Sequence, residues 1–308
     1  MISLQFNDPE EKQKALDYLK RARGLRREKR DRAGEGETLK DIIALYLSMG
    51  DKREALDYYH QALALYREIR DGMGQAIILR DLMRYWKELK QPQLAIFYGK
   101  QAINTYQEIR QNIQGLEQDT QLSFIRSKED VYRELADLLI DEGRLPEAQH
   151  VLAMLKEEEF INFIRGGGKK QPAGSERAEF TLKENEIYKA YKDKTERATA
   201  LSSEYDQLLA KTETSDAEKQ RLKSLPVELE AANKETREYL AKLLKAMEPV
   251  DETRHTIKIQ SYETLNDTLA DLGHGSVALY TLVVKDKYRV ILFTQGVKEV
   301  QALIPTSD

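Results

Sequence analysis

A recurrence at forty-residue steps limits what this chain can fold into more than any other feature. Ala15, Ala55 and Ala95 lie forty apart, and so do Ala22, Ala62 and Ala102. Tyr18, Tyr58 and Tyr98 keep the same step, as do Arg30, Arg70 and Arg110. Tyr66/Tyr106, Glu68/Glu108 and Ile69/Ile109 extend the match between the last two copies. A repeated unit of this size cannot bury its apolar face alone and does so by stacking on its neighbours. In the best copy Leu39, Ile42, Ile43 and Tyr46 fall at three- and four-residue steps, which places them on one face of a helix. Gly50-Asp51 ends that helix, because glycine readily takes the left-handed conformation at a helix C-terminus. A second helix follows, with Ala55, Tyr59, Ala62 and Leu63 facing inward. The two alanines mark where the paired helices come closest. The chain therefore reads as mainly α.

The segment ALYLSMGDKREALDYYHQAL carries tyrosine, glycine, alanine, tyrosine and alanine at the offsets of tetratricopeptide repeats, and the chain resembles that family. The usual unit is about 34 residues; the forty-residue step is similar to the variant with longer helices. In the next copy Leu79, Leu82, Met83 and Trp86 fill the first helix, and Ala95 and Ala102 the second. There Lys90 replaces the turn glycine and Gly99 a large inner residue, so looser packing is expected. A third full copy, with Tyr132, Leu135, Ala136, Leu139, Gly143, Ala148, Leu152 and Leu155, follows after 53 residues rather than 40, counted from Ala95 to Ala148. The extra length lies in QNIQGLEQDTQLSFIRSKED. Residues 9–30 read as a second helix without its partner, as if the chain began inside a repeat. The resemblance implies a right-handed solenoid of helix pairs over residues 1–165.

Residues 166–176, GGGKKQPAGSE from Gly166, are a linker by composition. A phosphate-binding loop would need a preceding strand and Ser or Thr after its lysine; here a helix precedes and Lys170 follows Lys169. Beyond the linker come two stripes at alternating steps of three and four. One runs through Ile187, Tyr191, Lys194, Ala198, Leu201, Tyr205 and Leu208. The other runs through Leu222, Leu225, Leu229, Ala232, Thr236, Tyr239, Leu243 and Ala246. Joined by the polar KTETSDAEK, they make an antiparallel coiled-coil hairpin over 177–250, with Pro226 restarting or kinking its second helix. Tyr262, Leu265, Leu269 and Leu272 then form a short helix ended by Gly273. SVALYTLVV and YRVILF are strands, and a third short strand covers 297–304. Residues 251–308 are expected to be a short, incomplete α/β unit. The strand over 277–284 is apolar on both faces, and only the 261–272 helix and the hairpin stand ready to cover one of them.

The order of these parts, with ELADLLIDEGRLPEAQHVLAMLKEEEFINFIRGG before the hairpin and LADLGHGSVALYTLVVKDKYRVILFTQGVKEV after it, resembles the run into a CHAT domain. That TPR–CHAT family carries a caspase-like peptidase fold behind its repeats. The resemblance implies a histidine and a cysteine beyond residue 308, and possible association with the remainder of such a domain. His274-Gly275 precedes the first strand, so it cannot be that histidine. No cysteine occurs in the chain, and a thiolate nucleophile with its histidine base cannot be assembled from it. The chain as it stands is expected not to be an enzyme, with no catalytic residue, no cofactor and no metal site.

Composition narrows the remaining classes. Charged residues make up 33% of the chain and the formal net charge is −4, so no global basic field draws in nucleic acid. No run approaches the roughly 20 apolar residues of a membrane span, and the N-terminus has no basic, apolar leader. The expected compartment is the cytoplasm. His60, His150, His255 and His274 make no two-ligand spacing. The eight basic residues from Lys20 to Arg32 are broken by Glu28 and Asp31 and read as a solvated helix face. What remains is the concave wall that solenoids offer to peptides. The family register turns Lys40, Arg80, Arg84, Lys87 and Arg133 toward it, where they could hold an acidic segment or be balanced by Asp81, Glu88, Asp130 and Asp137. The function implied is a protein–protein interaction scaffold binding a peptide or protein partner. Self-association through the hairpin ranks behind it.

Overall fold

The computed structural model describes residues 8–113, 123–124, 127–163, 176–209, 211, 214–246, 269, 271–273, 276–284, 287–294 and 301–303. Over these the chain is mainly helical. Its helices are α1 (Pro9–Glu28), α2 (Arg32–Met49), α3 (Lys52–Glu68), α4 (Gly72–Glu88), α5 (Pro92–Asn112), α6 (Glu129–Asp141), α7 (Leu145–Phe163), α8 (Leu182–Leu209) and α9 (Asp216–Ala246). Three strands follow: β1 (Val277–Val284), β2 (Lys287–Thr294) and β3 (Gln301–Leu303). Among the described residues no helix is long and apolar enough to cross a membrane.

The forty-residue period resolves into two beats of twenty. Arg30, Gly50, Arg70 and Lys90 all have left-handed backbone, with φ of 58°, 85°, 57° and 55°. Each closes its helix in the same way. The N–H of the following residue donates back to the carbonyl of Arg26, Tyr46, Tyr66 or Trp86 at 2.8–3.0 Å, and those carbonyls would otherwise be orphaned. Asp31 and Asp71 then cap the next helix, accepting from Gly34 N–H and Gly74 N–H at 2.9 Å. Gly143, at φ 73°, repeats the turn before α7. At Arg110 the column breaks, since α5 runs on to Asn112.

The compact units do not follow the domain bounds expected above. One unit joins Met1–Ile78 with Asn185–Ala246, and the other joins Leu79–Glu184 with Met247–Asp308. In the first, α1 packs on α2 and α2 on α3 around Leu16, Ile42, Leu45, Tyr46 and Ala55. Ala55 and Ala62 are fully buried, as their small size at the crossing requires. The Tyr66 ring fills the space between Gly36 and Gly74, where an added Cβ would stand 2.7 and 2.2 Å from it. Arg23, Arg27 and Arg32 from the basic run converge on the buried carboxylate of Glu35, at 3.4, 2.8 and 2.7 Å. Part of that run is therefore an internal ion cluster rather than a solvated face.

The hairpin of α8 and α9 completes this unit. Arg221 of α9 forks onto Glu204 of α8 at 2.6 and 2.8 Å, and Arg197 reaches Glu235 at 3.3 Å, a pairing only antiparallel helices give. Ile187, Tyr191, Ala198, Leu225, Ala232 and Thr236 are buried at the seam. Two expectations need correction. Thr195, not Lys194, takes the buried place, its hydroxyl donating to the Tyr191 carbonyl, while Lys194 lies over the Tyr239 ring. Nor does the helix restart at Pro226; α9, 31 residues long, runs through it, giving up the one hydrogen bond that an imino nitrogen cannot donate.

In the second unit α5 packs on α6 and α6 on α7. The expected loose packing of the second copy is not found. Ala95, Ile96, Phe97, Tyr98 and Ala102 of α5 are all fully buried. Gly99 is where Met83 and Leu135 close in, each 2.8 Å from where a Cβ would lie; the missing side chain tightens the contact. The sheet has the order β1-β2-β3, all antiparallel, with Val277 opposite Thr294, Val284 opposite Lys287 and Ile291 opposite Ala302. The helix α6 packs on β1; most of the helix expected over 261–272 lies outside the described residues. Leu282 is fully buried, while Val277 and Leu279, on the opposite face, are 50% and 61% exposed. The strand is thus not buried on both sides by the described residues. The linker over 166–175, the third-strand expectation beyond 301–303, and His255 and His274 also lie outside them.

Candidate functional site

The five cations assigned to the concave wall each meet a carboxylate. In the first unit Lys40 pairs with Glu37 one helical turn away at 2.7 Å. In the second, Arg80 pairs with its neighbour Asp81 at 2.8 Å, and Arg133 with Glu129 one turn back. Arg84 and Lys87 join two helices. Arg84 on α4 forks onto Glu134 of α6 at 2.8 and 2.9 Å and also reaches Asp130 at 2.7 Å. Lys87 lies 3.8 Å from Asp137. The hydrogen bonds to Glu134 raise the Arg84 guanidinium above its ordinary value despite partial burial. Three carboxylates thus meet two cations between α4 and α6, so the charge is already balanced toward the acidic side.

A more elaborate arrangement lies on the second helices of the same unit. The hairpin was expected from residue 177, but α8 begins only at Leu182, and residues 176–181 have no regular secondary structure. Their backbone groups are taken up by side chains of α5 and α7. Asn104 holds Ala178 from both sides of its amide: Ala178 N–H donates to Oδ1 at 2.6 Å, and Nδ2 donates to the Ala178 carbonyl at 2.9 Å. One carboxamide can do this because extended backbone turns the N–H and C=O of a residue the same way. The Glu179 carbonyl accepts from Lys100 Nζ at 2.7 Å, and the Arg177 carbonyl lies 3.0 Å from His150 Nε2. The Arg177 guanidinium reaches Gln111 at 2.9 Å. The Phe180 ring stands 6.0 Å from that of Phe97, with Lys100 Nζ 5.9 Å from its centroid. Ala178 and Thr181 are buried, while Glu179 projects outward.

An ion cluster fixes the end of this strap. Thr181 and Glu184 form a capping box for α8: Thr181 N–H donates to Glu184 Oε2 at 2.8 Å, and Glu184 N–H donates to Thr181 Oγ1 at 3.1 Å. The same carboxylate takes Lys100 Nζ at 2.7 Å and Arg144 Nη2 at 2.9 Å. Arg144 in turn forks onto Glu147 at 2.7 Å through each arm, and Glu147 also meets Lys100. Lys100 and Glu184 are 1% and 2% exposed in their side chains. Burial alone would raise the Glu184 carboxyl, but Lys100, Arg144 and the Thr181 N–H outweigh it and hold the group below its ordinary value. Removing Lys100 would leave two buried carboxylates, Glu147 and Glu184, sharing Arg144 alone, at a cost of about 3–5 kcal/mol.

None of Lys100, Asn104, Arg144, Glu147 or Glu184 stood out in the sequence as a site residue. The spacing Thr181-x-x-Glu184 is a legible helix start, and a lysine between inward-facing Gly99 and Ala102 is unusual. The partners of Lys100 and Asn104 at 178–184, however, lie 74 to 84 residues away, and no local pattern connects them. In the first unit the columns forty residues earlier do related work. Asp57 of α3 pairs with Arg237 of α9, and the buried His60 ring stands edge-on to Tyr191 at 5.5 Å. No family model, curated protein or solved structure matches this chain.

Proposed function

We propose that the chain is a protein–protein interaction scaffold, built as a tetratricopeptide-type solenoid of helix pairs, that takes a peptide or protein partner through its repeats. The observation that carries this reading is the capture of a non-helical backbone by repeat side chains, Asn104 above all. Such surfaces are made to receive chain segments rather than to do chemistry. The absence of cysteine rules out the thiolate nucleophile of a caspase-like site in residues 1–308. Panning the full chain against displayed peptides tests the reading. It should recover sequences that bind at about micromolar strength and compete for a stoichiometric site. Recovery of nothing above scrambled controls would reject it.

A second reading, suggested by the resemblance to the TPR–CHAT family, makes the chain the regulatory part of a caspase-like cysteine peptidase. The exposed Val277 and Leu279 on β1 favour it, because a further layer on that sheet face would cover them. Sequencing the encoding DNA past residue 308 decides the matter: a stop codon there removes this reading.

A further inference from the structure

The strap at residues 176–181 has the properties of a bound peptide that happens to be covalently attached. Four of its contacts to α5 and α7 are made by its main chain: the N–H and carbonyl of Ala178, the carbonyl of Glu179 and the carbonyl of Arg177. Side-chain contacts come from Arg177 to Gln111 and from Phe180 to Phe97 and Lys100. Ala178 sits 3% exposed under Asn104, so a larger side chain would have to displace what covers it. Between the two anchors Glu179 points away and is unread. A packed core would hold such a segment by its apolar side chains. Here the main-chain groups are held one by one, as in recognition of an extended peptide, and side chains select at alternate points.

We propose that the groove between α5 and α7 is a binding site for extended peptides of the pattern basic–small–any–aromatic, and that Arg177-Ala178-Glu179-Phe180 is its resident, self-supplied ligand. The inference rests on the scaffold reading and specifies where and what it binds. A partner segment must displace the strap, which as part of the same chain competes at the high effective concentration of a tethered ligand. The wild-type groove is therefore closed to weak ligands and opens only to segments that match all three anchor points or to a chain whose strap has been loosened.

The test uses the full chain and a fluorophore-labelled nonapeptide of residues 175–183, read by anisotropy. In the double variant Ala178→Arg/Phe180→Ala the strap cannot re-enter, and the peptide should bind about tenfold or more tighter than to the wild type; adding Asn104→Ala should reverse that gain, because the clamp's two hydrogen bonds are worth about a factor of ten together. If the double variant melts without a cooperative transition, Phe180→Ala alone gives the same reading with a smaller gain. Unchanged affinity in a variant that keeps its helical circular dichroism overturns the proposal. The two readings fail separately. Peptides recovered by panning whose binding ignores Asn104→Ala would overturn the groove and leave the scaffold. Binding of the nonapeptide with nothing recovered by panning would keep the groove and remove the scaffold.

Discussion

His60 occupies a position where charge cannot be accommodated. Its ring projects from α3, is buried edge-on to Tyr191, and its Nε2 has no hydrogen-bond partner among the described residues. Burial, helped by Arg67 and Arg237, pushes the imidazole from its ordinary 6.5 down to about 3. The unfolded chain therefore binds a proton over that interval while the folded chain does not. The sign follows: the neutral ring's contribution is complete above pH 6.5 and is lost as pH falls toward 3, at about 1.4 kcal/mol per unit. Denaturant melts between pH 6.5 and 5 should show this slope, and His60→Leu should remove that part of it. An identical slope in the variant would place the acid sensitivity elsewhere. Glu35 and Lys100 solve the opposite problem. Each carries its charge into the interior and is surrounded by partners of opposite sign.

The helices owe their lengths to their turns. Three of the four left-handed turn positions in the first ninety residues are Arg or Lys, not Gly, although a side chain costs about 1–2 kcal/mol in that conformation. Lys90→Gly should therefore raise stability by about 0.5–1 kcal/mol, the relief of strain being partly offset by the greater freedom of glycine in the unfolded chain. Gly50→Ala should lower it by a similar amount, since nothing but backbone conformation opposes a Cβ there. Urea midpoints that move in the same direction for both would contradict this account. The fold was largely legible at this scale. Periodicity placed the paired helices, Gly50 and Gly143 marked turns, and the alanine columns marked the close crossings. Lys90 was read as standing in a turn glycine's place, but the turns at Arg30 and Arg70 escaped notice because charged residues announce no left-handed backbone; hydrogen bonding across the helix end imposes it. The strap escaped because six residues without period give no signal. Of the partners of the wall cations, Asp81, Asp130 and Asp137 were legible as balancing charges, whereas Glu37, Glu129 and Glu134 were not.

At the scale of the whole chain, sequence order and compact units part company. The hairpin α8–α9 packs with α3 through Asp57–Arg237 and Arg53–Glu230, so the first unit is finished by residues that follow the second in sequence. A chain stopped after residue 165 should lose more helical circular dichroism than the deleted residues account for and melt at a lower temperature, having bared the face that His60 and Asp57 share. A truncated chain with an unchanged melt would restore a self-sufficient repeat array over 1–165. The twenty-residue beat of the turns carries a further consequence. Helices of 17 and 18 residues make about 4.7 and 5.0 revolutions at 3.6 residues each, so the 18-residue helix returns to the azimuth on which it began and the 17-residue helices stop about 100° short of it. One inserted residue would throw everything downstream out of phase by about 100°, whereas a duplicated pair of helices returns to the starting phase. A change of length that keeps the copies in register therefore comes in steps of forty, the period of the alanine columns, and the 53-residue step from Ala95 to Ala148 is where that register is not kept.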